Sequence, residues 1–293
     1  MSVDRTFLLG VGAMKAGTTW LHDYLAASPQ CQPGHRKEYH VFDSLDFPVE
    51  QGKEPWLLHR VVDKARASLD EVAQGRPTDP TYLHQAAMIA DEQLYFDYFT
   101  ALFSRDPATR LTLDITPGYA LLSPERLGSV RAEFERRSVR PVAAFLLRDP
   151  VERIWSQVRM QKRRRPENNP APAEDLVAQR YAEPSYAERT RYEQTVRNLD
   201  AAFGDQAGYA FYEELFDPAT SERELRSLCE LAGIDYREPD LDARFNVSPR
   251  SAALPEETVR AVAEHYRTTY EFVASRFPGR DLPRIWPSAR FAL

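Results

Sequence analysis

A chain of 293 residues has room for one large α/β domain or two small ones, and nothing in it has the composition of a flexible inter-domain linker. A formal charge of −6 argues against general nucleic-acid binding, a 43% hydrophobic content suits a globular protein in water, and no apolar run approaches the ~20 residues of a membrane-crossing helix. The two cysteines, Cys31 and Cys229, stand far apart and lack metal-ligand spacing, which implies reduced thiols in a reducing compartment.

Phe7-Leu8-Leu9 predicts a buried strand, and Leu21, Tyr24 and Leu25 recur at helical spacing. Between them, Gly10-Val11-Gly12-Ala13-Met14-Lys15-Ala16-Gly17-Thr18-Thr19-Trp20-Leu21 reads as a glycine-rich turn from strand into helix. Such a turn points backbone N–H groups and the positive end of the helix dipole at one spot, which attracts an anion, most often a phosphate. The stretch departs from the Walker A pattern G-x-x-x-x-G-K-[ST]. Gly12 and Gly17 keep its separation and Thr19 its metal-binding hydroxyl, but Thr18 stands where the lysine belongs, and Lys15 lies inside the loop. The cradle is kept and the cation is moved.

The run Lys15-Ala16-Gly17-Thr18-Thr19-Trp20-Leu21 resembles the 5′-phosphosulfate loop of sulfotransferases that use 3′-phosphoadenosine 5′-phosphosulfate (PAPS). The resemblance implies that Lys15 reaches the oxygen bridging phosphate and sulfonate. It implies too that the loop amides and hydroxyls, those of Ala16, Gly17, Thr18 and Thr19, hold the 5′-phosphate. Trp20 would lie against the adenine or, equally, pack in the core. The expected fold is α/β: a P-loop-like, mostly parallel sheet flanked by helices, with PAPS across the carboxyl ends of the strands. A single domain over 1–293 is expected, with no signal peptide or anchor ahead of a loop that begins at Gly10, and a cytoplasmic location.

Ser28 to Gln32 breaks the first helix, and Arg36-Lys37-Glu38-Tyr39-His40-Val41-Phe42-Asp43 follows, an odd mixture of carboxylates, imidazole, cations and aromatics for a solvated loop. It resembles the Lys-Glu-x-x-x-Phe segment of the sulfotransferases that include the glycosaminoglycan-modifying enzymes, where the glutamate is the catalytic base. That role carries to Glu38, with His40 as the competing base or as a support for Glu38 or the acceptor. From about Asp46 to Gln85 the chain reads as polar with loop signals at Gly75-Arg76-Pro77 and Asp79-Pro80. Asp91 to Phe103 has the pattern of an amphipathic helix, and Arg110 to Ile115 alternates like a strand leading into the turn Thr116-Pro117-Gly118-Tyr119. The family often carries an acid, a lysine, then Ser/Thr-Pro-x-Tyr here. Ile115 replaces the lysine, which makes a sulfated-polysaccharide acceptor less expected. Ser123-Pro124-Glu125 opens a further helix, with serine at the cap and proline at its first position.

A second strong motif is Pro141-Val142-Ala143-Ala144-Phe145-Leu146-Leu147-Arg148-Asp149-Pro150, an apolar strand ending in an arginine, with Asp149 as N-cap of a helix whose Val151, Ile154, Trp155 and Val158 form a buried stripe. Strand, arginine, helix and Ser156 together resemble the family's 3′-phosphate site, which implies that Arg148 pairs with that phosphate and Ser156 donates its hydroxyl. The basic run Lys162 to Arg165 and the proline-rich stretch to Pro172 suggest a mobile lid at about 163–185, the cations either drawing an anion or simply capping a helix end. Tyr186 to Phe203 reads as helix, Tyr209 to Tyr212 as a strand ended by Glu213-Glu214-Leu215, and Thr220 to Ala232 as a helix with Gly233 at its C-cap. The resemblance also implies a basic residue closing over the nucleotide from the loop Phe245 to Ser251, before a last helix, and Arg250 is the candidate for it.

These readings amount to an in-line transfer of a sulfuryl group from PAPS to a hydroxyl or amine of a small-molecule or glycan acceptor, without metal. Lys15 would stabilise the leaving phosphate oxygen and Glu38 would take the acceptor proton. Two other classes remain open on the sequence: a Mg²⁺-dependent kinase or ATPase on a related loop, disfavoured by Thr18, and a nucleotide-binding module without turnover.

Overall fold

The computed structural model describes residues 5–47, 56–241 and 253–293. The apolar run at Phe7 forms β1 (Thr6–Gly12), buried at every residue. It is followed in the chain by β2 (Cys31–Gln32), β3 (Leu111–Ile115), β4 (Arg140–Leu147) and β5 (Ala207–Phe211). They form one sheet in the order β2-β3-β1-β4-β5, with every neighbouring pair parallel. Strands covered on both faces need continuous apolar runs, which is why β1 and β4 carry no polar alternation. The ring of Phe7 stacks on Phe134 at 3.8 Å and meets Phe99 edge-on at 4.9 Å, so β1 is sealed by the helices Glu92–Leu102 and Pro124–Arg136. Most buried apolar side chains form one continuous core, with Val61 and Ala65 outside it.

The strand order decides where a ligand fits. The chain leaves β1 toward the β2 edge and leaves β4 toward the β5 edge, so β1 and β4 flank the point where the winding reverses. At such a point the loops after two adjacent strands part and open a crevice at their carboxyl ends. Lys15 follows β1 and Arg148 follows β4. The β1–β4 register slips between Gly10 and Gly12, and the Ala13 N–H then bonds the Leu146 carbonyl at 2.9 Å, which ties the start of the loop to the end of β4.

Several elements differ from the sequence reading. The stretch taken as polar loops holds two helices, Trp56–Ala73 and Thr81–Ala90, with the Gly75-Arg76-Pro77 turn between them. The first has apolar residues at helical spacing, Leu58, Val61, Val62, Ala65, Leu69 and Val72, of which Val61 and Ala65 are buried and Leu69 and Val72 exposed, so the pattern was present in the sequence and was missed. The helix expected from Tyr186 is two pieces, Pro184–Ala187 and Tyr192–Phe203, and Glu213 to Leu215 belongs to a short helix, Tyr212–Leu215, rather than to the strand end. Within 163–185 lie a 3-10 turn, Pro166–Asn168, and a helix, Ala173–Arg180. The Lys162 ammonium donates to the carbonyls of Asn169 (3.1 Å) and Ala171 (2.6 Å) and so folds this stretch back on the preceding helix end. The last helical pattern is divided at Tyr266 into Glu256–His265 and Arg267–Arg276. Arg250 and its loop lie outside the described residues.

Candidate active site

The loop after β1 enters the helix Thr18–Ala26 through Gly17, whose φ of 85° is the left-handed conformation that glycine adopts without penalty. A Cβ at this position would also stand 3.0 Å from the Tyr212 ring. Thr18 and Thr19 are the first two helical residues, where amides have no intrahelical partner. Lys15 is itself left-handed (φ 72°), and its carbonyl accepts a 2.7 Å hydrogen bond from Arg148 Nη1. The Arg148 guanidinium lies 4.2 Å over the Tyr212 ring and 3.6 Å from Glu152. β4 thus delivers an arginine that fastens the loop following β1. Arg148 Nε remains buried without a hydrogen-bond partner among the described residues.

The Lys15 ammonium forms no ion pair among the described residues. Its pKa is lowered to about 8, first by burial and then by Arg148, Arg163, Arg164 and Arg159. Lys15 thus feels four positive charges and no carboxylate partner among the described residues, in a chain with more acids than bases. Ser156 is half-buried on the helix Pro150–Arg164, between Arg148 and the arginines of its far end. Trp20 is buried, stacked on Tyr24 at 5.5 Å and edge-on to Phe216 at 5.0 Å, with its Nε1 donating to the Asp240 carbonyl at 3.4 Å.

The second cluster is carried by the segment that precedes the short helix Phe42–Asp46. Its backbone is held by the β3 end: Asp114 accepts from the Tyr39 N–H (3.4 Å), the Tyr95 hydroxyl (2.9 Å) and the Thr116 hydroxyl (2.6 Å), while the Tyr119 hydroxyl accepts from the Val41 N–H (3.0 Å). So held, Glu38 and His40 both take left-handed backbone angles, φ 63° and 52°, which cost a non-glycine residue about 1–2 kcal/mol each. Glu38 Oε1 meets Lys37 Nζ at 2.5 Å and Oε2 meets His40 Nε2 at 3.4 Å, and the other imidazole nitrogen, Nδ1, is 2.6 Å from Asp43 Oδ2. Burial opposes charge on both partners. The His40 contact and Lys37 override it for Glu38, holding its carboxyl down at about 2, and Asp43 and Glu38 override it for His40, raising the imidazole to about 9. At neutral pH the pair is a carboxylate facing an imidazolium.

The two clusters share a wall. The 3-10 turn Pro117–Leu121 presents Gly118 to Asp43 and His40 and Ala120 to Gly12 at the end of β1. The end of β1 that leads into Lys15 and the segment that carries His40 and Asp43 thus pack against the same short turn.

Residues 8–238 match the model of the sulfotransferase family. The chain belongs to the sulfotransferase family. The sulfotransferase of Alicyclobacillus acidocaldarius is a structural neighbour at a TM-score of 0.64 and 20% identity, covering 97% of this chain and 99% of that one. Sulfotransferase STF9 from Mycobacterium avium aligns with a TM-score of 0.42 and 14% identity over 80% of this chain and 65% of its own. Comparison with curated proteins gives no match.

In this sulfotransferase three groups around the site escaped the sequence reading. Asp43, three residues after His40, is the first; the His-x-x-Asp spacing was its only signal. The second is Arg153, which has no exposed surface and donates to Thr190 Oγ1 (2.6 Å) and Gln157 Oε1 (2.8 Å), so it fastens the segment after 163–185 to the helix Pro150–Arg164. Burial lowers its pKa to about 10. The third is the carboxylate pair behind Arg148. Asp149 does cap its helix, accepting from the Val151 N–H at 2.9 Å, but it also accepts from the Ser288 hydroxyl at 2.6 Å and the Tyr270 hydroxyl at 3.2 Å. Glu213 accepts from the Asp149 N–H and from Trp286 Nε1 at 3.0 Å, and burial raises its carboxyl to about 7.

Proposed function

We propose that this sulfotransferase moves a sulfuryl group from PAPS to a hydroxyl or amine of a small acceptor, with Lys15 at the leaving oxygen and Glu38 as the base. The observation that carries the reading is a half-buried Lys15 before a helix N-terminus, its charge opposed by Arg148, Arg163, Arg164 and Arg159 and met by no carboxylate among the described residues. Such a cluster is unfavourable alone and becomes favourable around a multiply charged anion. PAPS fits the donor set: Lys15 and the amides of Gly17 to Thr19 would hold a phosphosulfate, the Ala16 amide being already bonded to the Ala13 carbonyl at 3.1 Å, and the orphaned Arg148 Nε, with Ser156 on the adjoining helix, would offer donors for a second phosphate. When bound, PAPS supplies an activated sulfonate on a good leaving phosphate.

The remaining chemistry belongs to the chain. Lys15, half-buried and held by its own carbonyl through Arg148, would offset the charge growing on the departing oxygen, and a fixed cation in a dry site does this without reorganisation. Glu38 would receive the acceptor proton as the acceptor oxygen or nitrogen bonds to sulfur. His40, already cationic, has no site for that proton at neutral pH, so it acts as the group that aims Glu38. Arg250 stays a proposed contact from the loop before the last helices, and 163–185 a proposed lid, clasped at its far end by Arg153. No Mg²⁺ is required in this scheme, because Lys15 and the arginines supply the positive charge.

Binding and turnover with PAPS, compared with ATP with and without Mg²⁺, test the reading. PAPS should bind without metal, and an acceptor library should yield products heavier by one sulfonate. Tight Mg²⁺–ATP binding with phosphate-bearing products would replace it with the kinase reading.

A further inference from the structure

The acids Asp149 and Glu213 have no part in the transfer scheme, yet they frame the peptide that leads out of Arg148. Glu213 Oε1 accepts from the N–H of that peptide, that of Asp149, at 3.1 Å, and its carbonyl, that of Arg148, accepts from the Tyr192 hydroxyl at 2.8 Å. The Arg148 guanidinium lies 4.2 Å over the ring of Tyr212, the residue before Glu213. The short helix Tyr212–Leu215 therefore holds Arg148 twice, its side chain through a ring and its backbone through a carboxyl. From the C-terminal turn, Trp286 Nε1 donates to Glu213 Oε2 at 3.0 Å and ties that turn to the same corner.

The two acids differ in how their charge is met. Asp149, 2% exposed, accepts from four donors: the Val151 N–H, the Ser288 N–H and hydroxyl, and the Tyr270 hydroxyl. Burial pushes both carboxyls up, but four donors favour the anion of Asp149. Glu213 is half-buried, forms no ion pair among the described residues and stands beside that anion. Burial first and then the Asp149 charge push its carboxyl up to about 7, against the Asp149 amide and Arg148. Two acids that share one corner give up their protons as a pair, and the less solvated charge is the last to form. The remaining titratable groups at this corner, among the described residues, are the Tyr192 and Tyr270 phenols, which burial keeps neutral.

We propose that Glu213 is a positioning residue of the donor site: it sets the corner that carries Arg148, and it takes up one proton from solvent as the donor binds. In the ligand-free protein the Arg148 charge steadies an ionised Glu213. A donor phosphate on Arg148 offsets that charge and adds its own, so the proton moves onto Glu213 and the arginine is left to the phosphate. A neutral carboxyl still accepts from the Asp149 amide, so the corner keeps its shape. The inference rests on the donor reading above, in which Arg148 meets the 3′-phosphate.

Trp286 reports on Glu213 directly, because its indole N–H is bonded to that carboxyl. The indole resonances of the four tryptophans are titrated by NMR from pH 5 to 9, with Trp286→Phe to assign the one of interest. Without ligand the Trp286 signal should titrate near pH 7, and in Glu213→Gln it should be flat. The probe for binding is 3′-phosphoadenosine 5′-phosphate, which carries both phosphates and cannot transfer a sulfonate. Between pH 6 and 8.5 its affinity should fall about three- to tenfold more in the parent than in Glu213→Gln, whose neutral amide imitates the protonated acid. By linkage, saturating probe should raise the Trp286 midpoint by about half to one pH unit. A flat Trp286 signal in the ligand-free parent overturns the inference, and so does a midpoint that the probe leaves unmoved. Both readings need no Glu213 variant, so they decide even if Glu213→Gln does not fold. Binding with equal pH slopes in the two proteins overturns this inference alone, whereas no binding to either overturns the donor reading and this inference with it.

Discussion

Lys15 occupies its loop at an electrostatic cost. Its folded pKa of about 8 lies below the usual lysine value, so between about pH 8 and 10.5 the unfolded chain holds the extra proton and stability rises with pH; below pH 8 the full penalty is present. Lys15→Met should accordingly raise the stability of the ligand-free protein at pH 7 by about 1 kcal/mol in chemical denaturation, while cutting turnover ~10²–10³-fold. A variant that is less stable and still active would remove the lysine from the mechanism. For the base, the pH profile is the discriminating measurement. A carboxylate held near 2 is ionised throughout the working range, so a Glu38 mechanism gives kcat without an acid limb between about pH 5 and 8. Glu38→Gln should lose ~10²–10⁴-fold and His40→Asn less. A limb that rises toward pH 9 and vanishes in His40→Asn would hand the role to His40.

At the scale of elements, the site is the meeting of two strand ends, and Arg148 is the part supplied by β4. Arg148→Ala should weaken PAPS far more than adenosine 5′-phosphosulfate, by about 1.5–3 kcal/mol in calorimetry, since only PAPS carries the 3′-phosphate. Equal losses would mean that Arg148 acts only by holding the Lys15 carbonyl. This element-level logic was largely legible in the sequence. A strand that must be apolar on both faces, a glycine that must be left-handed and an aspartate–proline helix start each leave a fixed residue type at a fixed position. What was missed lay in long-range partners and in a helical pattern, Leu58, Val61, Val62, Ala65, Leu69 and Val72, diluted by charged residues. The helix Trp56–Ala73 shows most of its surface to water, and Asp149 looked like a cap and no more because Tyr270 and Ser288, its other partners, lie more than a hundred residues away. Ile115 was legible only as a missing lysine. In the fold it is buried against Gly10, where a Cβ would stand 2.7 Å from its Cγ1, so the position is sheet interior and has no room for an ammonium.

At the scale of the molecule, the C-terminal turn is part of the active-site frame. Trp286 and Ser288 reach Glu213 and Asp149, and Asp149 is the neighbour of Arg148 in the chain. Ser288→Ala leaves the Asp149 carboxylate short of its 2.6 Å donor and should cost about 1–3 kcal/mol in denaturant unfolding, with a smaller loss of PAPS affinity as the β4 corner loosens. Undiminished stability would show that this terminal contact is dispensable.

The gathering of cations in a chain of net charge −6 has a consequence for which anions arrive. Salt screens charge over roughly 8–10 Å, so a compact anion at the mouth of the crevice responds to the nearby arginines and hardly at all to the remote acids. A long polyanion spans many screening lengths and must lie against the acidic remainder of the surface as well. A chain so charged is expected to take up a nucleotide-sized anion more readily than a polymer that bears the same groups, a difference that should shrink as salt is raised.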